Sequence, residues 1–304
     1  MTKLRIGTRG SPLALAQAQE TRSRLAAAHG LLAVDFEIVV ISTTGDRVTD
    51  RPLHEIGGKG LFTKEIEEAL LAGTIDLAVH SMKDVAAQEP EGLHFAAWLP
   101  REDARDAFLS HTAKSLDHLP PGARLGSSSV RRSAQALRRR PDLTIVPFRG
   151  NVETRLRKLG EGVADATFLA VAGLKRLGLA SRITSLIEPE VMLPAIAQGA
   201  IGLQIREHDA ATARLVTSVN HPETAIAIQC ERAFLATLDG SCRTPIAGQA
   251  KIAGDMITFH GETLTPDGKH VFTATRSGSV ADAVQLGINA ALEVKAKGGS
   301  LIAP

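Results

Sequence analysis

The sequence predicts an α/β fold in two units, followed by a small antiparallel α+β unit. Three observations carry this. Short apolar runs alternate with longer runs of helical period from Leu4 to Arg206. Two connecting stretches, one near Leu99-Pro100 and one near Pro194, divide that alternation as the two crossings of a hinged pair would. Beyond Thr244 the pattern changes to three strand-like runs, separated by Gly254-Asp255 and Pro266-Asp267-Gly268 and closed by one helix.

The elements follow in order. Leu4–Thr8 reads as a buried strand. Ser11 suits an N-cap and Pro12 the first helical position, so a helix runs from Leu13 to about Ala28. A helix N-terminus directly after a strand presents backbone N–H groups to an anion, and Arg9 stands beside it. Phe36–Ile41 is the next strand. Ser42 to Lys59 is polar and glycine-bearing, too long for an ordinary connection, and is expected to be a functional loop or lid. Thr63–Ala72 is a helix and Ile75–Val79 a strand that delivers His80-Ser81-Met82-Lys83-Asp84. In parallel sheets ligands collect beyond the carboxyl ends of strands, where both Thr8–Ser11 and His80–Asp84 fall.

A second unit begins after Leu99-Pro100-Arg101-Glu102-Asp103. Arg124–Gly126 is a strand, and Ser127-Ser128-Ser129 caps a helix whose first turn holds Arg131 and Arg132. Leu143–Val146 is a strand leading to Arg149-Gly150-Asn151 and a helix with Arg155. Ala166–Ala170 is another, followed by Lys175 and Arg176. Three successive strand ends therefore offer arginine. Leu193 to Gly202, rich in small residues, leads back into a strand at Ile201–Arg206. A helical run from Glu223 to Leu238 precedes the tail, whose strands are Ile246–Ile252, Met256–Leu264 and Val271–Arg276. A last helix runs from about Val280 to Lys297.

Composition bounds the function. At 304 residues the chain suits two or three domains, and 44% hydrophobic content is ample for their cores. The net charge of +2 gives no global field for nucleic acid or an anionic membrane. With no Tyr and one Trp, a base-stacking platform is a poor reading. No apolar core long enough for a signal peptide opens the chain, and no run approaches the roughly 18 apolar residues of a membrane span. Two cysteines in different contexts make no disulfide framework, which points to a reducing compartment. The expected location is the cytoplasm.

That near-neutral total hides a basic patch. From Arg124 to Lys158 ten arginines and lysines face two carboxylates, Asp142 and Glu153. Arg138-Arg139-Arg140 reads as a solvated helix end. Arg131, Arg132, Arg149, Arg155 and Arg176 read as one cleft, and the planar guanidinium fork matches carboxylate or phosphate. No Walker or Rossmann glycine pattern occurs, which argues against a nucleotide. The cysteines differ. Cys230 lies one helical turn from both Ile226 and Phe234, the position of a small hydrophobe. Cys242 lies in the loop Leu238-Asp239-Gly240-Ser241-Cys242-Arg243-Thr244-Pro245, where a neighbouring cation favours the reactive thiolate. Taken alone, that loop is equally compatible with an inert thiol.

Together the motifs resemble the porphobilinogen deaminases, also called hydroxymethylbilane synthases. The likeness runs from residue 4 to about 275. It rests on Ile6-Gly7-Thr8-Arg9-Gly10-Ser11-Pro12-Leu13-Ala14, Gly57 to Glu65, His80 to Val85, Arg101-Glu102-Asp103 with Arg105-Asp106-Ala107, and Ser128 to Arg132. Further matches are Arg149 to Val152 with Thr154-Arg155-Leu156, Ala170 to Gly178, Pro194 to Gly202, and Gly240-Ser241-Cys242. Single stretches are weak; the ordered set is specific.

The resemblance implies two periplasmic-binding-protein-like domains joined by a double hinge, and a third domain carrying Cys242. Their expected bounds are 1–98 with 199–218, 99–198, and 219–304. It implies a transferase of tetrapyrrole (haem- or chlorophyll-type) biosynthesis. Four porphobilinogen molecules are condensed head to tail into hydroxymethylbilane, with release of ammonia. The reaction is primed by a dipyrromethane cofactor held through a thioether to Cys242. The substrate is small, the product passes to the next enzyme of the pathway, and neither nucleic acid, membrane nor metal is expected. The family suggests a monomer.

Residue by residue, Asp84 matches the catalytic carboxylate, which stabilises the cationic azafulvene left when ammonia departs and can pass a proton to the leaving amine. Read without the family, it is a capping aspartate. Ser81, Lys83, Asp84, Ser128, Ser129, Arg131, Arg132, Gly150 and Gln198 match cofactor contacts. Arg9, Ser11, Arg149, Arg155 and Arg176 are expected to take substrate carboxylates, and Lys59 and Phe62 belong to the lid. The chain departs from the pattern at Ser241, where glycine is common, at Ala86 and Ala104, where proline is common, and at Glu55, lysine in some relatives. Loop stiffness and lid charge depend on these positions. Three other readings fit parts of the sequence. A hinged anion-binding protein would explain the arginines but leave Cys242 idle. A cysteine-dependent acyl transferase would need one of the ten histidines oriented on Cys242, and none lies in its loop. A nucleic-acid protein would use the Arg124–Lys158 patch.

Overall fold

A computed structural model describes residues 3–47, 60–239 and 244–302. Lys59, Glu55, Ser241, Cys242 and most of the expected lid lie outside the described residues. The described chain forms two compact units. The first holds 3–47, 60–102 and 199–225; the second holds 103–198, 226–239 and 244–302.

The first unit is built on a five-stranded sheet. Its strands are β1 (Leu4–Arg9), β2 (Phe36–Ile41), β3 (Leu77–Ser81), β4 (Leu93–Trp98) and, from late in the chain, β10 (Ile201–Arg206). Their order is β2-β1-β3-β10-β4. β1 runs parallel to β2 and β3, with Ile6 opposite both Ile38 and Leu77, while β10 is antiparallel to β3 and β4. Side chains alternate across this sheet. Leu77 and Val79 join a core with Ile6, Leu25 and Leu203 on one face, and Ala78 joins Ile66, Leu70 and Ile75 on the other. Buried on both faces, such strands read as continuous apolar runs, which is why β10 was legible.

The second unit repeats the plan. Its strands are β5 (Asp106–Ser110), β6 (Arg124–Gly126), β7 (Thr144–Val146), β8 (Ala166–Ala170) and β9 (Ser185–Ile187), in the order β7-β6-β8-β5-β9. β6 is parallel to β7 and β8, and β5 antiparallel to β8 and β9. Phe108 packs into one core with Phe168 and Leu125; its neighbours Ala107 and Leu109 pack into another with Phe148 and Leu169. The same unit carries a three-stranded antiparallel sheet of β11 (Ile246–Ala253), β12 (Met256–Leu264) and β13 (Val271–Ser279), covered by the helix Ala283–Gly298. Gly287 of that helix lies so close to the helix Pro222–Thr237 that a Cβ would sit 2.2 Å from the Cys230 carbonyl oxygen.

Three differences from the sequence reading have physical causes. β3 starts at Leu77, not Ile75, because the Asp76 carboxylate accepts from the Arg5 backbone N–H at 2.9 Å and from its guanidinium at 2.7 Å. The stretch expected as open loop begins with a helical turn, Thr44–Arg47. Glu65 fixes it by accepting from Thr44 N at 2.7 Å and Arg47 Nη2 at 2.8 Å. Strands β4, β5 and β9 carry no clear signal of their own; β5 opens on a charged residue, and β9 has three residues.

Candidate functional site

In the first unit, the carboxyl ends of β1 and β3 bring several expected residues together. Ser11 caps the helix Pro12–His29, accepting from Ala14 N at 3.3 Å. Ser81, the last residue of β3, is hydrogen-bonded to Gln17 of that helix at 2.8 Å. One 3-10 turn, Met82–Asp84, then places Asp84 half-buried. Arg9, Ser11, Gln17, Phe62, Ser81 and Asp84 line a hollow of about 50 Å³, room for a water-sized group or two. Lys83 is exposed.

Arg9 is fixed on three sides. Its Nε donates to both Asp46 carboxylate oxygens at 3.2 Å, its guanidinium carbon lies 4.1 Å from the centre of the Phe62 ring, and Nη1 stands 3.8 Å from Asp84 Oδ2. The last distance is a loose ion pair rather than a hydrogen bond. Burial alone would raise the Asp46 pKa, but bonds from Arg9 and Thr43 hold it below the usual carboxylate range. Phe62 owes its seat to Gly45, where a Cβ would lie 2.2 Å from the ring. Gly45→Ala should therefore displace Phe62 and cost about 1–3 kcal/mol of stability. The urea unfolding midpoint should drop in this variant but stay level in Gly160→Ala, where nothing lies within 4 Å of the added Cβ.

In the second unit a buried cluster forms around Asp106, the first residue of β5. Its side chain is fully buried, and those of Arg131 and Arg132 are 5% and 8% exposed. Arg131 Nη2 donates to Asp106 Oδ2 at 2.8 Å; Arg132 donates to Oδ1 through Nη2 at 2.7 Å and Nε at 3.2 Å. Gln198 Nε2 adds a third partner at 2.9 Å. The remaining Nη1 groups are tied to carbonyls, Arg131 to Leu193 at 2.8 Å and Arg132 to Phe168 at 3.0 Å. Both arginines lie in the first turn of the helix Val130–Arg139, capped by Ser129. Ser128 accepts from Phe148 N at 3.0 Å.

Burial would raise the Asp106 pKa, yet Arg131 and Arg132 hold it well below the usual carboxylate range. A carboxylate depressed in the folded state stabilises fully above its unfolded pKa, near 4, and loses that contribution as pH falls toward the folded value. The melting temperature should hold between pH 7 and about 5 and fall below pH 4. The acid slope of Asp106→Asn should be shallower than that of the parent.

The other expected arginines of this unit follow β7 and β8. Arg149 and Arg176 are half-buried; Lys158 donates to the Arg149 carbonyl at 3.0 Å. Arg155 Nε donates to the Gly150 carbonyl at 2.8 Å, and Gly150 itself has φ +120° against Thr154, which only glycine accommodates there. Gln198 is steadied from the antiparallel sheet's side. Glu231, fully buried, accepts from Ala197 N at 2.6 Å and Ala250 N at 2.8 Å. That holds Ala197 at φ +59°, an uncommon conformation for a residue with a side chain.

Cys230 is fully buried. Burial, with Glu231 beside it, pushes its thiol up to about 12, so it stays protonated and inert. Among the described residues no group of three or more His, Cys, Asp or Glu is placed to hold a metal, and no helix is long and apolar enough to cross a membrane. Sequence reasoning missed Asp46, Gln17, Gly45 and Asp106 as site residues. Only Asp106 left a trace, as a charge opening the apolar run Ala107-Phe108-Leu109.

Two family models match the chain. One, described as "Porphobilinogen deaminase, dipyromethane cofactor binding domain", matches residues 4–214; the other, "Porphobilinogen deaminase, C-terminal domain", matches residues 225–296. A porphobilinogen deaminase of Paracoccus denitrificans (strain Pd 1222) is 58% identical over 294 residues, covering 97% of this chain and 94% of that one. Among solved structures, the methionine-binding protein MetQ is 15% identical with a TM-score of 0.46, over 72% of this chain and 89% of that one. The VFT2 domain of Bordetella pertussis BvgS (a double mutant) is 17% identical with a TM-score of 0.42, over 72% and 85%. At these values the fold stands on its own strand order rather than on the likeness.

Proposed function

The chain belongs to the porphobilinogen deaminase family, and from that premise we propose how its own residues perform the family's reaction. It is a transferase of tetrapyrrole biosynthesis that joins four porphobilinogen molecules head to tail into hydroxymethylbilane and releases ammonia. It carries a dipyrromethane cofactor, with Cys242 as the attachment residue. When bound, that group supplies the nucleophilic pyrrole carbon to which the first substrate is joined.

The residues present fit such a group. Each pyrrole ring bears an acetate and a propionate, so the holding site needs surplus positive charge and N–H donors. Around Asp106 the guanidiniums of Arg131 and Arg132 face one carboxylate. With Arg138, 3.9 Å from the buried Glu262, three guanidiniums face two carboxylates, and one positive charge remains over. Ser129 starts the helix that presents both arginines, so backbone N–H groups point the same way. Arg131, Arg132, Gln198, Ser128, Ser129 and Gly150 of this unit would hold the cofactor; the family pattern alone assigns that role to Ser81 and Lys83.

The reading rests on one observation above all: Asp84, half-buried beyond β3, shares a hollow with Arg9, Ser11 and Ser81. Its carboxylate accepts the pyrrole N–H of the substrate and stabilises the positive charge that develops as ammonia leaves. The substrate amine departs as ammonia from its ammonium form, so the positive charge passes to the ring, and the carboxylate can relay a proton to that amine only after taking one up. Arg9, kept in orientation by Asp46, takes a substrate carboxylate, as do Arg149, Arg155 and Arg176. Phe62, whose ring lies against the Arg9 guanidinium, and Lys59 are the lid residues of this reading.

We place domain bounds at 1–98 with 199–218, 99–198 and 219–304, supported by one sheet falling mainly in each span. The protein acts as a cytoplasmic monomer, without nucleic acid or membrane, and passes its product to the next enzyme of the pathway. A net charge of +2 offers no global field for nucleic acid or an anionic membrane, and no helix among the described residues is long and apolar enough to cross a membrane. The test is incubation of the purified protein with porphobilinogen, following ammonia and linear tetrapyrrole. Both should rise together in a four-to-four-to-one relation of substrate, ammonia and product, by the stoichiometry above; ammonia without a tetrapyrrole would remove the polymerase reading.

A further inference from the structure

Asp106 belongs to none of the roles above, yet its carboxylate is enclosed among charged and polar partners. Its side chain is fully buried, and it receives Arg131, Arg132 and Gln198 together. These are three of the residues that would hold the cofactor. A carboxylate in that position has two consequences. First, it fixes direction. Arg132 meets Oδ1 through both Nε and Nη2, so the plane of its guanidinium is set. Arg131 is held between Oδ2 and the Leu193 carbonyl. Gln198 is held between Oδ1 and the Ala104 carbonyl at 2.7 Å. Second, it sets charge. Two adjacent buried guanidiniums repel, and one carboxylate between them leaves a single positive charge instead of two.

Donor counts show what remains. A guanidinium has five N–H donors. Arg131 spends two within the protein and leaves three; Arg132 spends three and leaves two. Those unspent hydrogens point where Asp106 leaves them. Burial does not weaken the clamp, because the carboxylate stays ionised through the physiological range.

We propose that Asp106 is a positioning residue which orients Arg131, Arg132 and Gln198 as one rigid receptor for the carboxylates of the dipyrromethane. The proposal rests on the family reading given above. It assigns Asp106 no contact with the substrate or the reacting atoms.

The experiment compares parent protein, Asp106→Asn, Asp106→Glu and Leu125→Ala, each purified from the same host. Leu125 is a fully buried core residue of the same unit, outside the cluster, and serves as a stability-matched control. Denatured intact mass gives the fraction carrying one dipyrromethane, and thermal unfolding gives the melting temperature. Asp106→Asn keeps the shape but loses the charge, and its amide offers hydrogens to donors. Its cofactor-loaded fraction should fall at least tenfold. Asp106→Glu keeps the charge but moves it by a methylene, and should load to an intermediate level. Leu125→Ala should lower the melting temperature as much or more, yet load fully. Full loading of Asp106→Asn overturns the proposal. So does a loaded fraction that merely tracks melting temperature across all four proteins. If Asp106→Asn does not fold, Asp106→Glu against Leu125→Ala decides by the same two measurements. A parent protein without the added mass would sink the family reading itself, an outcome separate from these.

Discussion

Cys242→Ala should leave the purified protein at its bare sequence mass and without turnover. The parent should exceed its sequence mass by one dipyrromethane when measured under denaturing conditions, because a thioether survives unfolding. Cys230→Ala is the control, and the structure explains why it should keep the adduct. Its sulfur is fully buried and its thiol, pushed up to about 12, is protonated at neutral pH. A protonated, enclosed thiol neither attacks nor is reached. The cost of Cys230→Ala is one of packing: a small void in the helix Pro222–Thr237, about 1 kcal/mol. If both variants keep the adduct, or both lose it while folding normally, the attachment residue is misassigned.

Asp84→Asn should fold, carry its cofactor and turn over some 10²- to 10⁴-fold more slowly. A hundredfold loss corresponds to about 2.7 kcal/mol of transition-state stabilisation. The amide keeps the shape of the carboxylate but can neither balance a developing cation nor relay a proton to the amine. Stability should change little. Asp84 is about one-third exposed, and its partner Arg9 stands 3.8 Å away, already held by Asp46 and Phe62. A loose, partly exposed pair of this kind contributes less than about 1 kcal/mol. The measurements are steady-state turnover of porphobilinogen, intact mass and melting temperature. Turnover within a few-fold of the parent would take Asp84 out of the chemistry. Lost cofactor with intact fold would reassign it to cofactor assembly.

Most strands were readable because local pattern and burial agreed. β1, β2, β6, β8, β10 and the antiparallel trio emerge as short runs of strand-forming residues. The caps at Ser11 and Ser129 are equally local, since each side chain bonds an amide three residues on. β4, β5 and β9 were not readable. β5 begins with Asp106, and a charge at the head of a buried strand makes sense only once Arg131, Arg132 and Gln198 are found around it. The antiparallel placement of β5 and β10 inside otherwise parallel sheets is also non-local, being fixed by pairing across long stretches of chain.

The sequence by itself determined which residues are proposed for the chemistry. Asp84 and Cys242 are specified by ordered motifs, and the arginines by their density at strand ends, because charge type and local spacing are properties of neighbouring residues. Tertiary structure alone decided how the arginines are used. Arg131 and Arg132 are gathered, largely buried, around one carboxylate, and Arg9 is held by Asp46 and a ring seated on Gly45. The reason is physical. Stripping water from a guanidinium demands a partner, and that partner is drawn from whatever part of the chain the fold brings near, at separations no local pattern encodes.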